Sequence, residues 1–574
     1  MFFNSQGKEE NTFDAIVVGT GISGGWAAKE LCEKGLKTLV LERGRDVKHG
    51  DYPTAGLDPW DFEGGENLPA DVVAEHYPKQ NRTGYTVKKP HVHWFVKDSE
   101  HPYSEVKRFD WIRGYHVGGR SLMWGRQSYR LSDLDFEANA KEGIATDWPI
   151  RYRDLAPWYD YVETFAGISG QAEGLAHLPD GKFLPPFEMN CVEQDFRKAV
   201  AANFGGRVVT AGRTAHLTVP NPAIHGSRGQ CQTRDRCIRG CPYGAYFSSN
   251  ASTIPAADHT GNMTLRPHSV VYQLIMDEDT GRAKGVRLRD ARTGEDHEYF
   301  AKIIFLCASA LGSTYILLNT KTNEHPDGLG GNSGQLGRNL MDHHFKAGAR
   351  GIYDGYSDKY YLGRRPSGFY IPRFRNLGGD SNRKDYLRGF GYQGAASRTN
   401  WMRGIKELSV GLGADFKDML MAPGPWQMGM TGFGECLPYE DNRVYLNEDL
   451  TDIHGLPTLT MDAEFKDNEM RMRQDMADSA AEMLEAAGFR DVKPYTNGSY
   501  PGLGIHEMGT ARMGTSPKNS VLNKWNQVWD APNVFVTDGA CMTSSACQNP
   551  SLTYMAITAR AADYAVSELK KMNL

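Results

Sequence analysis

Apolar residues bunch near the start of the chain, where Ala15, Ile16, Val17 and Val18 run together before Gly19. A short unbroken apolar, β-branched run that stops at glycine predicts a strand buried on both faces of a parallel sheet. The period then changes. Ile22, Trp26, Ala27 and Leu31 recur at helical spacing with charged residues between them, which predicts an amphipathic helix. Lys37–Glu42 (KTLVLE) repeats the strand pattern. Near the other end, Val534–Thr537 predicts a strand, followed by a loop and a helix starting near Pro550, where proline suits the first turn. Between residues 468 and 489, Met472, Met476, Met483 and Ala487 form one helical stripe, the signature of core packing. No run approaches 18 apolar residues, so no membrane span is expected.

Composition narrows the class. Of 574 residues, 40% are hydrophobic and 24% charged, the balance of a soluble globular protein. The length suggests about four units of ~150 residues, or two large interleaved ones. A net charge of −5 without blocks of like charge gives no reason to expect nucleic acid as a partner. The N-terminus lacks the basic start and apolar stretch of a signal peptide, so the cytoplasm is the default expectation. Cys32, Cys191, Cys307, Cys436, Cys541 and Cys547 are scattered, as buried free thiols are, rather than arranged as a disulfide framework.

The first strand and helix flank Gly19, Gly21 and Gly24 in G-x-G-x-x-G spacing, and the second strand ends at Glu42. Each part has a mechanical task in binding a dinucleotide. Gly19 permits the tight turn, Gly21 lets backbone approach a pyrophosphate, and Gly24 lets helix pack on strand. The helix N-terminus offers unpaired N–H groups to phosphate, and Glu42 suits ribose hydroxyls. Flanked this way the fingerprint is specific, although the segment alone does not separate FAD from NAD.

Three of the nine cysteines, Cys231, Cys237 and Cys241, crowd into one basic loop, CQTRDRCIRGC. Three thiols give one disulfide and a remainder, so a simple staple explains them poorly. Zinc with His225 as fourth ligand, a disulfide plus free thiol, and an inert loop are the plain alternatives. The x5, x3 spacing is not that of a zinc ribbon. His91–His93 (HVH) invites a metal reading, which the lack of a matching ligand pattern discounts, and the Asp342, His343, His344 run invites another, set aside because it lies in a segment read below as cofactor-domain structure.

Several further segments carry a family resemblance: GYHVGGRSLMWG (114–125), CASALGSTYILL (307–318), GQLGRNLMDH (334–343), HEMGTARMG (506–514) and VFVTDGACMTSSACQNPSLTYMA (534–556). With the fingerprint, and in this order, they resemble the glucose–methanol–choline (GMC) flavoprotein oxidoreductases over nearly the whole chain. The resemblance implies an α/β fold: a discontinuous Rossmann-like FAD-binding domain with an α+β substrate domain built on an antiparallel sheet. The expected cofactor pieces are 1–50, 106–131, 250–345 and 495–574. The expected substrate pieces are 51–105, 132–249 and 346–494, with the cysteine loop inserted in that half.

The resemblance also assigns residues. His506 matches the family's catalytic histidine and Asn549 its histidine-or-asparagine partner. Asp538 and Gly539 match the segment beneath the ribityl and pyrophosphate, with Pro550 opening the helix that follows. Gly118, Gly119 and Ser121 match the loop against the flavin ring. Where some members link FAD covalently through histidine, this chain has Met123, which implies FAD bound without a covalent link. An imidazole with a pKa near working pH suits removal of a hydroxyl proton, and an amide suits orientation of the oxygen.

The cysteine loop resembles that of a subset, the large flavoprotein subunits of gluconate, fructose and glucose dehydrogenases and related glycoside 3-dehydrogenases. In that subset three thiolates hold a 3Fe-4S cluster, and Cys231, Cys237 and Cys241 supply that number. Gly240 and Gly244 let backbone fold around sulfurs, Pro242 follows a ligand cysteine as in ferredoxin runs, and Arg234, Arg236 and Arg239 are expected to offset cluster charge. The implied activity is a dehydrogenase that oxidises a secondary ring hydroxyl of a sugar or glycoside, with the 3-position favoured. Electrons would leave to a cytochrome-type acceptor, with a small subunit as partner and export alongside it to the periplasm as the alternative location. No C-x-x-C-H haem site is present. A gluconate or polyol dehydrogenase would favour arginines near His506, for which Arg512 and Arg364–Arg365 are available. An oxygen-using oxidase and a non-enzymatic flavin-bearing subunit complete the alternatives.

Overall fold

The structure is a computed structural model, and it describes residues 11–361, 366–399 and 413–574. Its largest sheet has eight strands. Four of them are parallel neighbours: Ala531–Val536, Asp296–Leu306, Thr12–Val18 and Thr38–Leu41, extended on one side by Met263–Arg266. Ile16, Val17, Val40, Ile304 and Val534 are fully buried, as expected of strands covered on both faces. The strand Ser269–Asp277 pairs antiparallel with Arg282–Asp290, which in turn pairs with the start of Asp296–Leu306. The helix Ile22–Glu33 follows the first strand, and the C-terminal helix Ser551–Lys570, capped by Pro550, packs against it.

A second sheet is antiparallel throughout and has six strands: Arg490–Thr496, His344–Tyr353, Trp426–Gly434, Phe390–Arg398, Phe369–Ile371 and Thr210–Ala211, in that order. The helix Asp467–Ala486 lies on it. Met472, Met476 and Met483, the stripe read from the sequence, are fully buried among Phe390, Met428 and Met430. Burying each such side chain contributes about 1.5–3 kcal/mol. Glu469 caps the helix by accepting from the Lys466 amide at 2.9 Å. A small third sheet joins Arg443–Thr451, Pro457–Asp462 and Ser104–Glu105. The strand His344–Tyr353 runs across the boundary expected at residue 345, so chain passes from the segment before the parallel sheet's cavity directly into the antiparallel sheet.

Candidate active site

A cavity of about 440 Å³ lies where the two large sheets meet, within the range of cofactor and ligand sites, about 300–1,000 Å³. The parallel sheet supplies its floor. Gly19 holds φ +101°, and a Cβ at Gly24 would fall 2.0 Å from the Gly19 carbonyl oxygen, so strand and helix touch here backbone to backbone. Beside Gly21 nothing lies within 4 Å of the position a Cβ would take. The helix Ile22–Glu33 begins at Gly21 without a side-chain cap or an acidic residue in its first turn. Its first N–H groups therefore face the cavity without a local anion, the arrangement that holds a pyrophosphate.

Thr20 links three parts of this floor. Its hydroxyl donates to Glu42 Oε2 at 2.5 Å and accepts from the Gly118 amide at 2.9 Å. Glu42 Oε1 also accepts from the Gly44 amide at 3.0 Å. Burial pushes the Glu42 carboxyl above its ordinary range, opposed by these donors. Gly19, Gly21, Glu42, Gly119, Ser121, Asp538 and Gly539 all line the cavity. Gly24, Gly118 and Pro550 do not; they shape the elements behind it. The Ser121 hydroxyl donates to the Gly118 carbonyl at 2.6 Å and accepts from the Ser249 amide at 3.0 Å, so its bonds serve the loop. Asp538 accepts from Ser313 Oγ at 2.5 Å and from the Ala540 amide at 3.0 Å, and burial pushes it up to about 6. The Tyr554 hydroxyl is buried against the cavity with no protein partner, a polar atom awaiting a bound group.

His506 and Asn549 both face the cavity. Asn549 Oδ1 accepts from Gln393 Nε2 at 2.6 Å, which leaves the Asn549 amide N–H as the group directed at a ligand oxygen. His506 is held on both sides. Its amide donates to Asp342 Oδ1 at 3.0 Å, and its Nδ1 lies 2.7 Å from Nδ1 of His343. Burial first, then His343 and Arg120, hold the His506 imidazole well below its ordinary value. It is neutral, and so a base, at neutral pH. Arg120 is itself paired with Glu507, at 2.8 and 3.1 Å to the two carboxylate oxygens. Phe345 and Phe433 stack with ring centres 5.3 Å apart and line the cavity from the antiparallel sheet. Met123 also lines the cavity.

His343, Gln393 and the Arg120–Glu507 pair escaped the sequence reading. His343 stood there only as a discounted metal ligand. Gln393 lies mid-strand, with no motif around it. The arginines proposed for an acidic substrate fare differently: Arg512 does not line the cavity and instead bonds Asn339 Oδ1 at 2.9 Å and the Asn519 carbonyl at 3.2 Å. Arg364 and Arg365 lie outside the described residues.

The cysteine loop lies apart from the cavity lining. Cys231, Cys237 and Cys241 are free thiols of intermediate exposure. Burial pushes Cys231 up to about 11, with Cys237 and Cys241 adding to the shift. Their sulfurs do not all lie within 4.8 Å of one another. Tetrahedral zinc, with Zn–S near 2.3 Å, needs sulfurs about 3.8 Å apart, whereas a cluster that gives each thiolate its own iron separates them further. The zinc alternative also loses its fourth ligand. His225 Nδ1 accepts from the Asn221 amide at 2.9 Å and its Nε2 lies 3.2 Å from the Thr164 carbonyl. The loop is tightly curled: Thr233 and Asp235 hold φ of +51° and +55°. Arg234, Arg236 and Arg239, expected to offset cluster charge, are engaged by a neighbouring segment. They bond the Ala55 carbonyl, Asp58, and the Leu57 carbonyl with Glu66, and so clamp the loop to segment 55–66. The cations beside the thiols are Arg126, which opposes the rise at Cys231, and Arg228, which burial pushes down to about 9 against the opposing effect of Cys241.

Among the described residues, one set of three ligand-type side chains brings its ligand atoms within 4.8 Å: His101, Asp452 and His454. The Arg43 guanidinium lies 3.3 Å from Asp452, and His101, Arg43 and Asp452 line the end of the cavity that holds Glu42. That cation already balances the carboxylate, and the set forms cavity wall.

A buried dinucleotide floor, roofed by a second sheet and carrying a neutral imidazole beside an amide, defines a cofactor-dependent oxidoreductase of hydroxyl groups. The GMC oxidoreductase family matches residues 13–345 with its N-terminal part and 438–558 with its C-terminal part, and the chain belongs to that family. It is an FAD-dependent oxidoreductase acting on alcohols or sugars. It is 29% identical to 2-methyl-1,2-propanediol dehydrogenase of Mycolicibacterium austroafricanum, over 96% of this chain and 94% of that one. It is 26% identical to the fructose dehydrogenase large subunit of Gluconobacter japonicus, over 98% and 99% of the two chains. Paromamine 6'-oxidase of Streptomyces fradiae is 26% identical over 98% and 92%. The solved structure of pyridoxine 4-oxidase from Mesorbium loti shares the fold, with a TM-score of 0.56 at 16% identity, covering 96% of this chain and 98% of that one. Among the described residues no helix is long and apolar enough to cross a membrane.

Proposed function

We propose that this chain is the catalytic flavoprotein of a sugar or polyol dehydrogenase. It would take a proton from a substrate hydroxyl at His506 and hold the oxygen with the Asn549 amide. The observation that carries the reading is the convergence of these two groups on the cavity whose floor is the uncapped helix N-terminus. FAD bound there, without a covalent link because Met123 replaces the linking histidine, supplies the acceptor for the hydride. Gly19, Gly21, Glu42, Asp538 and Gly539 would hold its dinucleotide portion, and the loop around Gly118, Gly119 and Ser121 its ring. The protein's own part is positional and electrostatic. The Phe345–Phe433 stack closes the side opposite the parallel sheet, Gln393 orients Asn549, and the neutral His506 receives the proton.

The hydroxyl is assigned to ring position 3 of a sugar or glycoside on the resemblance to glycoside 3-dehydrogenases. A second reading, a gluconate or small-polyol dehydrogenase, is favoured by similarity to a gluconate 2-dehydrogenase flavoprotein and to the diol dehydrogenase. We further assign Cys231, Cys237 and Cys241 as ligands of a 3Fe-4S cluster, which would supply one-electron transfer to a cytochrome-type acceptor. The effect of the other two thiols on Cys231 and the curled loop between the first two support this. A small subunit accompanying the chain, with export to the periplasm in its company, follows from similarity to a protein named as a large subunit.

The test is anaerobic. Purified protein is mixed with methyl glycosides, fructose, gluconate and 2-methyl-1,2-propanediol, flavin bleaching is followed by stopped flow, and the product is located by NMR. Bleaching by a glycoside with a 3-keto product supports the first reading; bleaching by gluconate or the diol alone supports the second. Bleaching by none of them refutes both. Peroxide formed in air as fast as a dye is reduced would mark an oxidase instead.

A further inference from the structure

The two imidazoles at the cavity wall carry a proton assignment that follows from their partners. His343 Nε2 lies 2.8 Å from the Ala546 carbonyl oxygen. A carbonyl only accepts, so His343 carries its proton on Nε2 and donates it there. Burial holds His343 below its ordinary value, in the neutral form, so its Nδ1 is a bare lone pair. That lone pair lies 2.7 Å from His506 Nδ1. Two lone pairs do not approach so closely; His506 Nδ1 must carry the proton and donate it. The proton of a neutral His506 is then accounted for, and its Nε2 is left as the basic nitrogen.

The backbone holds this geometry in place. Asp342 Oδ1 accepts from the amides of both His343 (2.8 Å) and His506 (3.0 Å), while Oδ2 accepts from the Gly504 amide at 2.8 Å. One carboxylate thus fixes the separation of two imidazole-bearing residues 163 positions apart. Ala546, whose carbonyl anchors His343, holds φ +56°, a left-handed conformation that non-glycine residues rarely adopt. It lies three residues before Asn549, in the same loop as the second site residue.

We infer that His343 is a positioning residue that fixes the tautomer of His506, keeping Nε2 free to take the substrate proton. This rests on the reading of His506 as the base. In the step itself the O–H bond breaks, its proton forms the N–H bond at His506 Nε2, and the bonding pair stays on the substrate oxygen. The resulting imidazolium still donates from Nδ1 to His343, a bond strengthened by the charge. A neutral ring therefore does what a carboxylate does behind many catalytic histidines. The charged and titratable groups around the pair are Arg120, Glu507, Asp342 and Glu435, acting from the flavin-side loop, the His506 turn, the His343 segment and the antiparallel sheet.

The test uses the FAD-loaded enzyme and two substitutions. His343→Leu removes the acceptor. His343→Asn restores one, because Asn Oδ1 takes the place of His Nδ1. Leu should slow flavin reduction roughly 10–10³-fold, short of the ~10⁴-fold lost when the carboxylate that sets a triad tautomer is removed. Asn should recover most of the rate. Equal losses in Leu and Asn, or a Leu variant at the parent rate, would overturn the inference. If Leu fails to hold FAD, parent enzyme carrying 15N-histidine decides: the His506 signals, assigned by difference against His506→Gln, should be pyrrole-type at Nδ1 and pyridine-type at Nε2, and the reverse overturns it. A His506→Ala enzyme that reduces flavin at the parent rate would remove the base reading itself, a separate failure.

Discussion

Glu507→Gln isolates a buried ion pair that bridges the two segments closest to the reacting centre. Arg120 belongs to the loop that carries Gly118, Gly119 and Ser121, and Glu507 directly follows His506. Glu507 is 1% exposed and Arg120 23%. Removing one partner of a buried pair costs about 3–5 kcal/mol, because the other charge is left unpaired. Water reaches part of Arg120, so the cost falls to the lower end of that range or just beneath it, about 2–3 kcal/mol. Most of this is the stranded cation, so removing both charges at similar volume, Arg120→Met with Glu507→Leu, should return stability to within about 1 kcal/mol of the parent. Denaturant titration of the holoenzyme, followed by tryptophan and flavin fluorescence, measures each corner of the cycle, and the coupling should exceed about 1.5 kcal/mol. The substitution also acts on chemistry. Arg120 already holds His506 down. Without its counter-charge it does so more strongly, and the acidic limb of kcat/KM should move further down. A Glu507→Gln enzyme within 0.5 kcal/mol of the parent, or a double variant as unstable as the single one, would refute the reasoning.

Four further outcomes are expected. His506→Ala should keep FAD and lower the rate of flavin reduction by about 10²–10⁴, the usual loss for a general base, and Asn549→Ala should slow the same step; stopped flow reads both. Because His506 is held below its ordinary value, the parent's activity should persist as pH falls past about 6.5 and be lost only where the imidazole takes up its proton, and a limb at or above 6.5 would contradict this. Acid precipitation should release all the flavin into the supernatant, and colour kept by the denatured chain would show a covalent link. Cys237→Ser should lose iron from anaerobically purified protein while substrate still bleaches the flavin, and parent protein free of iron would remove the cluster assignment.

The parts of the site that were legible share one property: their information is local. The turn at Gly19, the helix behind it and Glu42 lie within 24 residues, and each has a backbone reason for its place. The methionine stripe at Met472, Met476 and Met483 was legible because helical period and burial coincide. His506 and Asn549 were reached by resemblance, since nothing in their own spacing announces that they share a cavity. His343 and Gln393 were missed because a polar contact across 163 or 156 residues leaves no periodic trace. The three arginines of the cysteine loop were misread for the same reason. Their charge suggested the sulfurs beside them in sequence, but the carbonyls and carboxylates that bind them belong to segment 55–66. A carboxylate such as Asp342, which serves only backbone amides, looks in sequence like any other acidic residue.

The order of strands in the parallel sheet bears on how the enzyme is made. Ala531–Val536 pairs beside Asp296–Leu306, next to Thr12–Val18, so the first and last parts of the chain complete one sheet. Roughly 490 residues separate Leu41 from Ala531, which at ribosomal speeds of ~5–20 residues per second is a delay of roughly 25–100 s. Throughout that time the glycine turn is present but Asp538, Gly539 and the helix Ser551–Lys570 are not, and over roughly the last 225 residues the apolar edge of Asp296–Leu306 lacks its neighbour. Flavin capture should therefore wait for Ala531–Val536, the strand that acts as the latch of the sheet.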